Sequence, residues 1–452
     1  MIFLDFLKDI LSEPAFLMGL IACLGLVALK SPAHKVMTGT LGPILGYLML
    51  SAGAGVIVAN LDPLSKMIET GFHITGVVPN NEAVTSVAQE VLGVETMSIL
   101  VVGLIFNLLI ARFTRFKYIF LTGHHSFFMA CLLSAVLGAL EFKGMLLILV
   151  GGFLLGAWSA ISPAIGQKYT LKATDGDEIA MGHFGSIGYY LSAWIGSLVG
   201  NGSQSTEDIE VSEKWNFLRN TTISTALIMV FFYLVAAIAA GPKFVETLSA
   251  GQNPFIFAIL SGLKFAVGVA IVYAGVRMIL ADLIPAFEGV STKLIPNAVP
   301  AVDCAVFFPY APTAVILGFA FSFLGGVIGM LILGAVGGVL IIPGMVPHFF
   351  CGATAGIFGN ATGGRRGAMV GSFVNGLLLA FLPALLLPVL GNLGFSNTTF
   401  GDFDFAILGI LLGRVGEMAQ ATGIYVIVAV FLAILVVPSF LSKSNEAINN
   451  HE

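Results

Sequence analysis

Apolar residues run along this chain in long blocks, and polar residues gather in the short gaps between them. A helix needs about 20 mostly apolar residues to cross a bilayer. Blocks of that kind lie at 14–29, 39–60, 97–111, 119–139, 144–163, 223–240, 255–277, 312–336, 367–390, 403–416 and 425–442. Less regular apolar pieces surround His183, Asp303 and His348. The pattern predicts an all-α polytopic integral membrane protein with about eleven transmembrane helices plus re-entrant or broken segments.

Composition supports a lipid environment. The chain is 57% hydrophobic and 10% charged, against about 25% charged for an ordinary soluble domain. One core cannot hide that much apolar surface, so the lipid bilayer serves as solvent for much of it. The 54 glycines fit, because small residues let membrane helices approach closely. A net charge of -5 argues against nucleic acid. Cys23, Cys131, Cys304 and Cys351 lie in or beside apolar runs without a CxxC pair, as small buried hydrophobes do. The Met1–Glu13 stretch has alternating charges and no basic n-region, so a cleaved signal peptide is not expected.

Basic residues orient the spans. Lys30 and Lys35 follow the first block, and Arg112, Arg115 and Lys117 follow the third; both loops are expected in the cytoplasm. The segment between the second and third blocks carries Asp62, Glu69, Glu82, Glu90 and Glu95 against Lys66, and suits the outside. The N-terminus is then outside and the C-terminus cytoplasmic. Two loops are long and polar. "TGFHITGVVPNNEAVTSVAQE" (Thr70–Glu90) is amphipathic, and "NGSQSTEDIEVSEKWNFLRN" (Asn201–Asn220) reads as a solvated connection between approximate halves 1–200 and 221–442. "TGHHSFF" and "MGHFGSI" form a short echo between two segments.

Ionisable groups at membrane depth are costly and usually face a cavity or a partner. His124 follows Gly123 at the edge of an apolar run, and His125 points about 100° away around a helix. His183 follows Gly182 where a polar loop meets an apolar run. Asp303, in "NAVPAVDCAVFFPYAP", has apolar flanks and prolines on both sides. Such an acceptor-only group suits substrate hydroxyls, a proton or a cation, or else an inter-helix hydrogen bond. "PGMVPHFFCGATAGIFGNATGG" (Pro343–Gly364) is too rich in glycine and proline for a plain helix. It reads as a broken helix or hairpin tip offering backbone groups to a ligand, or as a tight small-residue packing surface. Arg414 and Glu417 are spaced for an i,i+3 ion pair. The chain lacks a phosphate-binding Walker loop, an HExxH metal site and a hydrolase elbow. No catalytic set, metal or cofactor is expected in this chain.

"MILADLIPAFEGVSTKLIPNAVPAVDCAVFFPYAP" (Met278–Pro312), "LTGH" (Leu121–His124), Gly182–His183 and "IIPGMVPHFFCGATAGIFGN" (Ile341–Asn360) resemble the ascorbate-type enzyme IIC. That family is the membrane permease of the bacterial phosphoenolpyruvate-dependent sugar phosphotransferase system. The resemblance runs from the first span to the last. It implies a helical homodimer in the cytoplasmic (inner) membrane, each chain with a substrate-binding core domain and a V-shaped domain within one enzyme IIC unit spanning 1–452. It also implies L-ascorbate uptake coupled to phosphorylation by a separate IIB protein, itself charged by IIA. The family's ligand-contacting histidines match His124 and His183, and its aspartate matches Asp303.

Departures from the family pattern bear on selectivity. A glutamine after each family histidine is replaced by Phe128 and Phe184. The family's threonine–tyrosine contact pair falls near Asn81–Glu82, and a serine of the second span is Ala54. A site built around hydrogen bonds penalises ligands that cannot make them. A related sugar acid or polyol is therefore an alternative substrate. A proton- or sodium-coupled secondary transporter for a small hydroxylated anion, with Asp303 taking the cation, is the alternative mechanism.

Overall fold

The computed structural model describes residues 13–72, 76–77, 79, 81–200, 202, 204–209, 221–391 and 399–449. The fold is all-helical apart from three very short strands. In chain order come α1 (Pro14–Ala28), α2 (Ala33–Gly71), α3 (Asn81–Phe113), β1 (Tyr118–Phe120), α4 (Gly123–Ala139), α5 (Gly144–Ala173) and β2 (Ala180–Met181). There follow α6 (Ser186–Val199), α7 (Thr221–Ala240), α8 (Pro242–Leu248), α9 (Pro254–Gly289), β3 (Val299–Val302), α10 (Pro312–Ala335), α11 (Met345–Gly391) and α12 (Phe403–Asn449). A 3-10 turn, Cys304–Tyr310, links β3 to α10.

Among the described residues, seven helices are long and apolar enough to cross a membrane, and the α7–α8 pair, bent by 113°, would make an eighth. The protein is a multi-pass membrane protein. Several expected blocks change character. Block 119–139 is not one helix: β1 takes its start, and α4 begins only at Gly123. Block 367–390 is the second arm of α11, which reverses at Gly364 (φ 59°). Ser372 on that arm donates to Gly352 O on the first at 3.3 Å, so the arms run antiparallel. Blocks 403–416 and 425–442 are likewise the two arms of α12, which breaks at Gln420 (φ 49°).

Helices α1, α2, α7 and α9 pack on one another, and α3–α6 pack with α10–α12. Small residues set the first group. A Cβ on Gly46 would stand 2.8 Å from Gly275 O, and one on Gly53 2.8 Å from Gly268 O, so α2 and α9 meet backbone to backbone. The second group has a core rich in aromatic rings, including Phe120, Phe184, Phe400 and Phe405.

Part of the loop between the halves is described, and it is not simply solvated. Arg365, just past the α11 reversal, donates to Ser205 O at 3.0 Å and Asp208 O at 2.8 Å. Glu207 accepts the N–H groups of Thr313 and Ala314, each at 3.1 Å, and so caps the N-terminus of α10. Residues 210–220 of that loop lie outside the described residues. The expected Arg414–Glu417 pair forms at 2.9 Å.

Candidate functional site

The site is built on a three-stranded parallel sheet in the order β1-β3-β2. The strands are apolar and largely buried, as parallel strands covered on both faces must be. Central strands rarely hold proline, yet Pro300 lies in β3. Its nitrogen faces the β2 side, where pairing begins only at Ala301. No ladder bond is lost there. Gly182 allows β2 to close on β3, because any Cβ at that position would run into Ala301 O.

Each strand ends at an expected site residue. His124 lies in the first turn of α4, just after β1; His183 follows β2 and Gly182; Asp303 follows β3 directly. The sheet thus gathers three distant segments at its carboxyl end, where parallel strands commonly present ligand-binding groups. The "TGHH" and "MGHF" echo follows the two outer strands, one residue out of step in the shared register.

His124 Nε2 lies 3.4 Å from Asp303 Oδ2, and the other Asp303 oxygen accepts the N–H of Ala305 at 3.0 Å. The hydroxyl of Tyr47, on α2, lies 3.0 Å from His124 Nδ1. With Nε2 donating to the carboxylate, Nδ1 is the acceptor and Tyr47 the donor. His125 Nδ1 accepts the Phe184 N–H at 3.3 Å, and His183 Nδ1 accepts the Gly185 N–H at 3.1 Å. Those two bonds put the proton of each neutral ring on Nε2. The two rings lie 3.7 Å apart. His124, His125 and Asp303, or His183, Asp303 and Cys304, are close enough to share a metal ion. With Nδ1 occupied and Nε2 protonated, however, His125 and His183 act as hydrogen-bond donors.

These groups open on a cavity of about 510 Å³. One wall is α2, through Tyr47, Leu50, Ser51, Gly55 and Val58; the other holds His124, His125, Phe128, His183, Asp303, Phe350 and Asp402. The N-terminal ends of α3, α4, α11, α12 and the 3-10 turn line it, through Asn81, His124, Val346, Asp402 and Ala305. Helix N-termini carry partial positive charge and favour anionic or oxygen-rich groups. Glu13, Asp303 and Asp402 also line the cavity, and its lining contains no lysine or arginine among the described residues.

The structure sorts the expected residues. His124, His183, Asp303, Phe128 and Asn81 all line the cavity. Phe128 meets the His124 ring edge to face, 5.9 Å between centroids. Phe184 does not line it: its ring is fully buried and stacks on Phe120 at 4.6 Å, while its backbone serves His125. Ala54 and Glu82 lie on α2 and α3, but their side chains fall outside those described. His125, the neighbour of His124, is 3% exposed and stacks on Phe405. The Pro343–Gly364 segment is the first arm of a helical hairpin that turns at Gly364, and the N-terminal end of this arm, not the tip, faces the cavity. Tyr47 and Asp402 escaped sequence reading. Asp402 carried a signal, an acid in the apolar "GDFDF"; Tyr47 carried none.

The PTS system sugar-specific permease component family, EIIC-GAT, matches residues 9–404. The chain belongs to that family. It is also 26% identical to the ascorbate-specific PTS system EIIC component of Mycoplasma pneumoniae over a 451-residue alignment, which covers 86% of this chain and 67% of that protein. The permease is a membrane-embedded IIC transport component, and the sheet-end cavity is its candidate sugar site.

Proposed function

We propose that this permease takes up L-ascorbate, or a closely related sugar acid or polyol, and delivers it to a separate IIB protein for phosphorylation. IIA recharges IIB, and the phosphorylated product cannot return. The observation that carries this reading is the convergence of His124, His183 and Asp303 at the ends of three parallel strands, inside one cavity. The ascorbate-specific relative supports the substrate class. Chemistry supports it too. Protonated Nε2 atoms and helix N-termini suit an enediolate, and Asp303 accepts from hydroxyls.

The cavity lies between the two helix groups, so movement of one group against the other would change which side it opens to. On this reading the α3–α6 and α10–α12 group is the substrate-binding core and α1, α2, α7 and α9 are the V-shaped part. The chain works as a homodimer in the bacterial cytoplasmic membrane, with its N-terminus outside and its C-terminus in the cytoplasm. The test is uptake by cells or proteoliposomes with and without IIA and IIB. Accumulation of phosphorylated ligand only when both are present is expected; equal accumulation of unmodified ligand against a gradient without them overturns the coupling.

One observation favours a second reading. Three acids and no lysine or arginine line the cavity among the described residues. That suits a proton- or sodium-coupled carrier. Collapse of uptake by an uncoupler while phosphoenolpyruvate remains available would select it.

A further inference from the structure

Two acids stand two residues apart where α12 begins, and their surroundings differ. Asp404 is fully buried and takes three donors: Trp158 Nε1 at 3.2 Å, Ser186 Oγ at 2.9 Å and the Ile187 N–H at 3.2 Å. It is tied into the start of α6 and does not line the cavity. Its acceptor capacity is spent on the fold.

Asp402 is 6% exposed and does line the cavity. Oδ2 accepts from Asn81 Nδ2 at 2.6 Å, and Oδ1 accepts the Cys351 thiol at 2.7 Å. Asn81 is itself held, because its Oδ1 accepts the Gly401 N–H at 2.9 Å, and that bond directs its amide nitrogen at Asp402. Both donors to Asp402 are neutral. The ion pairs among the described residues join Lys66 to Asp62, His124 to Asp303 and Arg414 to Glu417, so none of them serves Asp402. An ionised carboxylate has about four acceptor directions. A buried one with unused directions facing a cavity is poorly satisfied until a ligand donates to it.

We propose that Asp402, held in place by Asn81 and Cys351, is a specificity-determining residue that accepts hydrogen bonds from the neutral hydroxyls of the ligand's tail. This rests on the reading above, that the cavity takes an ascorbate-like ligand. A carboxylate repels enolate or carboxylate oxygen and accepts only from groups that carry a proton. The ligand's hydroxylated tail therefore turns to Asp402, and its anionic end turns away from it. Selectivity for a hydroxylated tail follows, since a tail without hydroxyls leaves the carboxylate buried and unpaired.

The test is calorimetric binding to the purified full-length protein, with L-ascorbate and its 6-deoxy and 5,6-dideoxy analogues as probes. Wild type is expected to bind the dideoxy analogue at least tenfold more weakly than ascorbate. Asp402→Asn is expected to lose at least tenfold for ascorbate and to discriminate much less between the ligands. Cys351→Ala removes one of the two donors but keeps the carboxylate and its bond from Asn81, and should keep most of the discrimination. Equal affinity of wild type for ascorbate and its dideoxy analogue overturns the inference without recourse to any variant. Undiminished discrimination by folded Asp402→Asn overturns it as well. Failure of wild type to bind ascorbate at all overturns the functional reading and takes the inference with it, whereas ascorbate binding without tail discrimination overturns the inference alone.

Discussion

His124 and Asp303, far apart in sequence, meet at 3.4 Å because β1 and β3 are neighbours in one sheet. The pair orders the site further than its own contact. By engaging Nε2, Asp303 makes Nδ1 the acceptor for Tyr47, and so links the strand ends to α2 across the cavity. Asp303→Asn and His124→Ala are each expected to weaken ligand binding at least tenfold, or about 1.4 kcal/mol. Titration calorimetry on the purified variants checks this, and wild-type affinity in either would remove that residue from the site.

Tyr47→Phe keeps the ring and deletes the hydroxyl that His124 Nδ1 accepts from. A neutral hydrogen bond contributes about 0.5–1.5 kcal/mol net. Affinity should fall two- to tenfold on that scale, with little change in thermal stability. A loss of stability without a loss of affinity would show that Tyr47 serves packing alone.

His125→Ala should act mainly on the fold. The ring is buried between His183 and Phe405, and its removal leaves the Phe184 N–H without its acceptor. An unsatisfied buried donor costs about 1–3 kcal/mol. The expected result is a lower Tm in detergent, with an affinity loss smaller than that of His124→Ala. Thermal-shift and binding measurements on the same preparation separate the two.

Gly182→Ala tests the sheet itself. The added methyl would collide with Ala301 O and push β2 away from β3. His183 would then lose its place beside His125. Ligand binding should be lost or the protein should fail to fold. Wild-type binding by Gly182→Ala would mean that the strand pairing does not position His183.

Phe128→Gln puts an amide where the resemblance leads one to expect it. Phe128 now gives the His124 ring an apolar edge-to-face neighbour on the cavity wall. The amide adds a donor and an acceptor there, and should shift the relative affinity for ascorbate against polyols by up to about tenfold. A competition series with sugar acids and polyols reads the shift; an unchanged ranking would show that Phe128 has no part in selectivity.

The membrane class and the helical architecture were legible in the sequence, because the cost of exposing polar backbone to lipid forces long apolar blocks. His124, His183 and Asp303 were legible for the same reason, as polar groups too costly to sit in apolar runs without a role. The count of spans was harder to read. The reversals at Gly364 and Gln420 each fold two blocks into one broken element, and a run of apolar residues does not show where a helix turns back.

Sequence alone determined which chemistry is present: imidazoles, carboxylates and an apolar solvent around them. Tertiary structure alone decided which of these groups meet. Strands of two to four residues are too short to show a period of two, so the sheet that gathers the site left no pattern in the chain. The sorting of neighbours was equally hidden. Phe128 faces the cavity while Phe184 stacks in the core, and Asp402 lines the cavity while Asp404 pins α6. Asp402 and Asp404 share nearly the same flanks in sequence, and only the direction of the backbone in the folded chain sets them apart.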